Sequence, residues 1–340
     1  MLKEVRLGKV ANSPNYIKIA EDSDNQNLLI VGRSGSGKTY ALKKIEENLA
    51  QSGGAVLVLN YHDTHSELLG NDNIYWLDAV ADGIPLSLLS PITHPDGSKE
   101  DDISVISAAM DIFCNVCNLK SRQRSALREA MKRTQYRNDV HNTIWAIGDE
   151  LCKAHDEVAD SVYEKFYDIF TQVKVGVKIS LMKKGKVTVI DLSKYSEQAQ
   201  SAVAEMILSF LWRYFRIWGL FSNTVLAVVC DEFQALTIRS NSIFKKILRE
   251  GRKYHIALFL ATQTLADLDR QDKTLLLQAG TQLYFHPSPR EAKEIADTLN
   301  QDKDAGFQEL LLSLRKGECI AFGRFKVGNA IIERPLKMTF

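Results

Sequence analysis

Leu28-Leu29-Ile30-Val31-Gly32-Arg33-Ser34-Gly35-Ser36-Gly37-Lys38-Thr39-Tyr40 is the stretch that decides the fold. Four apolar residues read as a buried strand, and Gly32 to Thr39 satisfies G-x-x-x-x-G-K-[ST] in full. A helical run, Tyr40 to Leu49, follows, so the motif stands in the strand–loop–helix setting it needs. The chemistry follows from the backbone. Glycines let the loop turn tightly enough for successive N–H groups to point inward at phosphate oxygens, and the helix N-terminus adds positive potential. The sequence therefore predicts a triphosphate cradle made of Gly32, Arg33, Ser34, Gly35, Ser36, Gly37, Lys38, Thr39 and Tyr40. Lys38 reaches the β- and γ-phosphates, and the Thr39 hydroxyl ligates Mg²⁺.

Working outward, Leu226 to Cys230 is an apolar strand ending in Asp231-Glu232. Beside a P-loop, Asp231 is the expected holder of the hydrated Mg²⁺ and Glu232 the general base toward water. After another apolar run, Ile256 to Ala261, comes Thr262-Gln263, whose amide can sense a γ-phosphate or position water. Strand-like runs also occur at Ala55 to Leu59, Val187 to Leu192 and Gln282 to Phe285. A helix runs from about Ala199 to Trp218, with apolar residues at steps of three and four. Strands apolar on both faces and separated by helices predict an α/β fold, a mainly parallel sheet with helices on both faces. With the P-loop and strand-end acids it resembles the RecA-like (ASCE) P-loop NTPase core.

One region breaks the alternation. Ile92 to Lys178 is helical in pattern with no strand, and reads as an insertion between the second and third core strands. The expected organisation is residues 1–91 as the N-terminal part of the core, 92–180 as a helical insertion, and 181–340 as the rest of the core. One or two short strands fit around Val5 to Val10 and Tyr16 to Ile19. Glu318 to Phe322 and Arg324 to Ile332, around Gly328-Asn329, suggest a hairpin at the sheet edge. Lys and Arg number 43 against 42 Asp and Glu, a net charge of +1, so there is no global basic field and any nucleic-acid contact must be local. The apolar runs fall short of a membrane span, the start lacks a secretory signal, and five cysteines are no disulfide framework; a cytoplasmic protein is expected.

Together with Arg249-Glu250-Gly251-Arg252-Lys253, Ala261-Thr262-Gln263, Val189-Ile190-Asp191-Leu192-Ser193 and Gly317-Glu318-Cys319, these motifs resemble the HerA/FtsK superfamily of ring-forming, DNA-translocating ATPases over about residues 25 to 340. HerA is the nearest type. The resemblance implies a homo-oligomer, a hexamer, with ATP and Mg²⁺ between subunits. It also implies a neighbour's arginine at the γ-phosphate, matched by Arg252 with Arg249 second. Double-stranded DNA would pass through the pore, with Lys183, Lys184, Lys186 and Arg239 as candidate contacts. Settings include DNA end processing and phage defence with a nuclease or other effector partner. The alternative is an ATP-gated scaffold that assembles an effector with little or no DNA movement.

This sequence departs from that family in three places. Asn60-Tyr61-His62-Asp63-Thr64-His65-Ser66-Glu67 stands where the family has Asp-Pro-His-Gly-Glu, and two registers remain, Asn60/His62 or Asp63/His65/Glu67; a solvated polar loop is expected. His255 stands where relatives often have glycine. Only about 25 residues precede the first core strand, where full-length relatives carry a β-barrel, which suggests an ATPase core recruiting its partner through the insertion or terminal hairpin. The basic helix carrying Arg122, Arg124, Arg128, Lys132, Arg133 and Arg137 reads as a solubilising surface or subunit contact. Cys114-x-x-Cys117 and Cys152-x-x-His155 read as buried helix residues rather than a zinc site.

Overall fold

The computed structural model describes residues 5–20, 25–68, 70–137, 143–176, 181–219, 224–233, 242–299 and 306–340. A single 13-stranded sheet organises them. Its centre is β3 (Leu28–Val31), β4 (Ala55–Asn60), β6 (Val187–Asp191), β7 (Leu226–Asp231), β8 (Ile256–Thr262) and β9 (Thr281–Phe285), with β5 (Ile74–Asp78) at one edge. These run parallel in the order β9-β3-β8-β7-β4-β6-β5.

Alternate strand residues feed two cores, so both faces are dry, as the unbroken apolar runs require. On one face Leu28, Ile30, Val56, Val58, Ala227 and Val229 pack against Ala41, Leu42, Ile45 and Leu49 of α1 (Lys38–Gln51). On the other, Leu29, Val31, Leu57, Leu59, Val228 and Leu258 meet α7 (Glu197–Trp218) and α8 (Ile243–Glu250). Each fully buried Leu, Ile or Val there contributes about 1.5–3 kcal/mol of transfer free energy. Ser196 starts α7 by accepting the Ala199 N–H, a side-chain cap at the position where the apolar periodicity begins.

Two elements exceed the sequence reading. The strand β5 lies between β4 and the helical region. It is short, half-exposed and at an edge, so its residues show neither clean alternation nor a continuous buried run. The terminal hairpin is part of a larger antiparallel wing: β10 (Glu318–Gly323), β13 (Leu336–Thr339), β1 (Arg6–Val10), β2 (Tyr16–Ile19), β11 (Phe325–Val327) and β12 (Ala330–Ile332) continue the sheet beyond β9. Thus β13 sits between β10 and β1, joining the two ends of the described chain. Gly8 makes this possible, since a Cβ there would lie 2.7 Å from the Thr339 carbonyl oxygen.

The helical region is α2 (Asp102–Val116), α3 (Ser121–Gln135), α4 (Thr143–Cys152), α5 (Glu157–Lys165) and α6 (Tyr167–Gln172). Phe113, Tyr163, Phe166 and Phe170 form its aromatic centre, and α2 docks on α7. No helix of the described residues is long and apolar enough to cross a membrane.

Candidate active site

The parallel register brings the carboxyl ends of β3, β7 and β8 level: Val31 faces Thr262, and Asp231 faces Ala261. Ligands of open α/β sheets bind along this edge. Leaving β3, the Gly32 N–H donates to the Thr262 carbonyl at 3.3 Å and the Arg33 N–H to the His286 carbonyl at 3.0 Å, so both neighbouring strands hold the loop. Gly35 at φ +76° and Gly37 at φ +108° take conformations that side chains disfavour. A Cβ on Gly35 would meet nothing within 4 Å, whereas one on Gly37 would meet the Gly317 nitrogen at 3.0 Å.

The underside of the loop is braced from the far end of the sequence. The Gly317 N–H donates to the Ser36 carbonyl at 2.9 Å, and the Phe340 N–H donates to the Gly317 carbonyl at 3.1 Å. The Phe340 ring stacks on Phe285 at 5.9 Å. Phe285 lies so close beneath Gly32 that a Cβ there would stand 2.6 Å from its own. Gly317 was reachable from sequence only through family resemblance; Phe285 and Phe340 carry no signal, being ordinary aromatics at strand ends.

Lys38 is buried, with its amino group 3.1 Å from the Arg33 carbonyl oxygen. Burial pulls its pKa down, and the nearby Asp231 and Glu232 carboxylates oppose that pull. The Thr39 hydroxyl donates to Asp231 Oδ2 at 2.8 Å. Glu232 follows at φ +55°, a left-handed conformation that is uncommon for a non-glycine residue. The Gln263 amide donates to Glu232 Oε1, and His62 Nε2 lies 3.9 Å from Glu232 Oε2. Residues distant in sequence thus converge: a lysine, a hydroxyl beside a carboxylate, a second carboxylate held by an amide, and an imidazole. Arg33, Ser34 and Tyr40 are exposed at the mouth, Tyr40 by 56%.

A magnesium-bound nucleoside triphosphate fits these residues. A Cβ built on Gly35 would meet nothing within 4 Å, so there is room beside the loop, and the buried ammonium rests on a loop carbonyl that a phosphate oxygen could replace. Thr39 with Asp231 is the sparse oxygen donor set that a mostly hydrated Mg²⁺ prefers.

The loop after β4 departs in part from the solvated segment expected: His62, Asp63 and Glu67 are exposed, but Tyr61 and His65 are buried. Asn60 donates to Asp191 Oδ1 at 3.1 Å and accepts from Thr64. His65 is fully buried, with Nδ1 2.9 Å from Thr64 Oγ1 and Nε2 3.2 Å from Glu46 of α1. The two registers divide the work: His62 faces Glu232, and His65 ties the loop to the P-loop helix.

Other candidates stand apart. Arg249 and Arg252 are exposed at the amino end of β8, roughly 20 Å of strand away from the same chain's P-loop. Lys183, Lys184 and Lys186 lie at the amino end of β6, also away from the P-loop edge. The Lys183 ammonium sits 3.5 Å from the Tyr75 ring centroid, and Lys186 donates to the Asp72 carbonyl at 2.8 Å. Arg239 lies outside the described residues. His255 holds φ +62°, which accounts for glycine being at home there. Cys114 and Cys117 are partly buried but Cys152 is exposed, against the expectation of burial; no cluster of three metal-ligating side chains occurs among the described residues.

The helicase HerA central-domain family model matches residues 5–211. The DNA double-strand break repair helicase HerA of Sulfolobus acidocaldarius is 25% identical over 337 residues, covering 94% of this chain and 67% of that protein. Among solved structures, VirB4 of Thermoanaerobacter pseudethanolicus superposes with a TM-score of 0.72 at 16% identity, covering 99% of this chain and 96% of that one. The plasmid coupling protein TrwB in complex with ADP and Mg²⁺ gives a TM-score of 0.66 at 14% identity, covering 99% and 89%. With its P-loop, paired strand-end acids and sheet order in place, the chain belongs to the helicase HerA central-domain family and is a P-loop ATPase of the HerA/FtsK type.

Proposed function

We propose that this protein is a motor that hydrolyses ATP with Mg²⁺ at sites shared between neighbouring copies in a ring, a hexamer, and moves double-stranded DNA. A nuclease or other effector works beside it in DNA processing or phage defence. The observation that carries the reading is the arrangement around Glu232: a carboxylate aimed at the P-loop edge, held by Gln263, with Lys38 and the Thr39–Asp231 pair alongside.

In this reading the P-loop amides and the Lys38 ammonium bind and orient the β- and γ-phosphates. Thr39 and Asp231 hold Mg²⁺, which neutralises phosphate charge when bound. Glu232 takes the proton from water, and Gln263 sets which way its carboxylate faces before substrate arrives. His62 borders the same carboxylate and orients it from the other side. The charge developing on the γ-phosphoryl oxygens needs one more cation. In this reading Arg252 supplies it to a neighbour's site, with Arg249, one turn before it, as the second choice. Lying at the far end of β8 from its own P-loop, Arg252 is too distant to serve its own site.

One observation favours the scaffold reading as the second choice. Two of the candidate DNA lysines, Lys183 and Lys186, are engaged within the chain. The ATPase rate with and without duplex DNA separates the two. Strong stimulation by duplex supports the motor; robust turnover indifferent to DNA supports an ATP-gated scaffold.

A further inference from the structure

The helix α3 presents a face that the nucleotide site does not use. Gln123, Leu127, Ala130, Met131 and Thr134 turn inward, which leaves the cations outside. Arg124, Arg128 and Lys132 recur every four residues, so they form one stripe with steps of about 6 Å along the helix. The next step is Tyr136, 75% exposed, and Arg122 and Arg133 flank the row.

Counting Arg122, Arg124, Arg128, Lys132 and Arg133 against Glu129 alone, the helix nets +4 in a chain whose total is +1. The rest of the chain therefore nets about −3, and against that background this helix is a local basic surface. Internal pairing does not consume it. Glu129 approaches Lys132 at 3.9 Å and Arg133 at 3.8 Å, exposed contacts worth about 0–1 kcal/mol. Arg124 spends its Nε on the Leu119 carbonyl at 3.1 Å and keeps the rest of its guanidinium outside. Arg122 and Arg128 form no ion pair among the described residues.

We infer that this face of α3 is a second nucleic-acid contact, binding the phosphate backbone of duplex DNA without regard to base sequence. It rests on the DNA-motor reading above and extends it to a surface outside the candidate lysines near β6. The stripe from Arg124 to Tyr136 is roughly 18 Å long, the axial rise of about five phosphates of one strand. Arginine forks and a tyrosine hydroxyl are donors suited to phosphate oxygens. The competing occupant is a second copy offering the exposed acids Asp156, Glu157, Asp160 and Glu164 in and before α5. That helix packs against α3 in the same bundle. A head-to-tail ring contact needs its two surfaces on opposite sides of the subunit.

The test uses the whole protein and a fluorescein-labelled 30-base-pair duplex of arbitrary sequence. Anisotropy is read from about 50 to 200 mM salt, and particle mass is measured on the same samples. Replacing Arg122, Arg128 and Lys132 together by glutamine is expected to weaken binding at least tenfold at mid-range salt. It should also lower the slope of log affinity against log salt by about 2–3, at 0.9 per lost phosphate contact. DNA-free ATPase activity and particle mass should be unchanged, and the exchange Arg128→Lys with Lys132→Arg should bind like the parent. Unchanged affinity and slope in the glutamine variant overturn the inference while leaving the motor reading intact. A fall in particle mass overturns it in favour of a contact between copies. If the parent itself binds no duplex, the DNA reading fails and this inference with it.

Discussion

Glu205 offers the sharpest test of the interior. It lies on α7 with no exposed surface, between α2 and the sheet. Asn115 of α2 donates to Oε2 at a long 3.4 Å, and Oε1 has no hydrogen-bond partner. The Tyr61 hydroxyl is buried and likewise without a partner. Burial pushes the Glu205 carboxyl up to about 7, with Asp111 adding to the rise while Asn115 and Lys246 oppose it. Against the ordinary 4.5, the native state holds a proton that the unfolded state releases. Stability from this group is complete below about pH 4.5, declines as pH rises, and is gone above about pH 7; a gap of about 2.5 units corresponds to about 3 kcal/mol. Glu205→Gln removes the titration and keeps an oxygen for Asn115. The two proteins should melt alike near pH 4.5. By pH 8.5 the parent should melt roughly 6 °C lower relative to the variant, using about 2 °C per kcal/mol for a chain of this size. The assay is thermal unfolding across that range. Parallel pH profiles for the two proteins would refute the reasoning.

Other expectations concern the P-loop edge. Glu232→Gln should bind ATP as the parent does yet lose at least about 100-fold in turnover, read by nucleotide titration and phosphate release. Gly37→Ala should keep its circular dichroism spectrum but lose nucleotide binding, because φ +108° strains alanine and its methyl group would press on Gly317. Phe340→Ala should raise KM for ATP several-fold with little change in kcat, and Phe340→Tyr should restore it. A lowered melting temperature with KM untouched would mean that the Phe340–Phe285 stack supports the sheet and not the loop.

The P-loop, Asp231-Glu232 and Gln263 were legible in the sequence because each is a local pattern at the end of an apolar strand, and parallel pairing makes strand ends neighbours. What was hidden depended on partners distant in sequence. β5 is half-exposed and wins its place by pairing with β6 rather than by its own pattern. β13 is four residues that matter only because β10 and β1 flank them. His62 and His65 look equivalent in a polar loop, and only the positions of Glu232 and Glu46 tell them apart. The left-handed backbones of Glu232 and His255 carry no glycine to announce them.

The central claim is that two copies complete each nucleotide site, one through its cradle and acids and the other through Arg252. The most direct measurement is ATP hydrolysis by equimolar mixtures of Arg252→Ala and Lys38→Ala subunits, each expected to be inactive alone. In mixed rings roughly a quarter of the interfaces pair an intact cradle with an intact arginine, so a clear part of the activity should return. Mixed particles of unchanged mass that bind ATP and stay inactive would contradict the account.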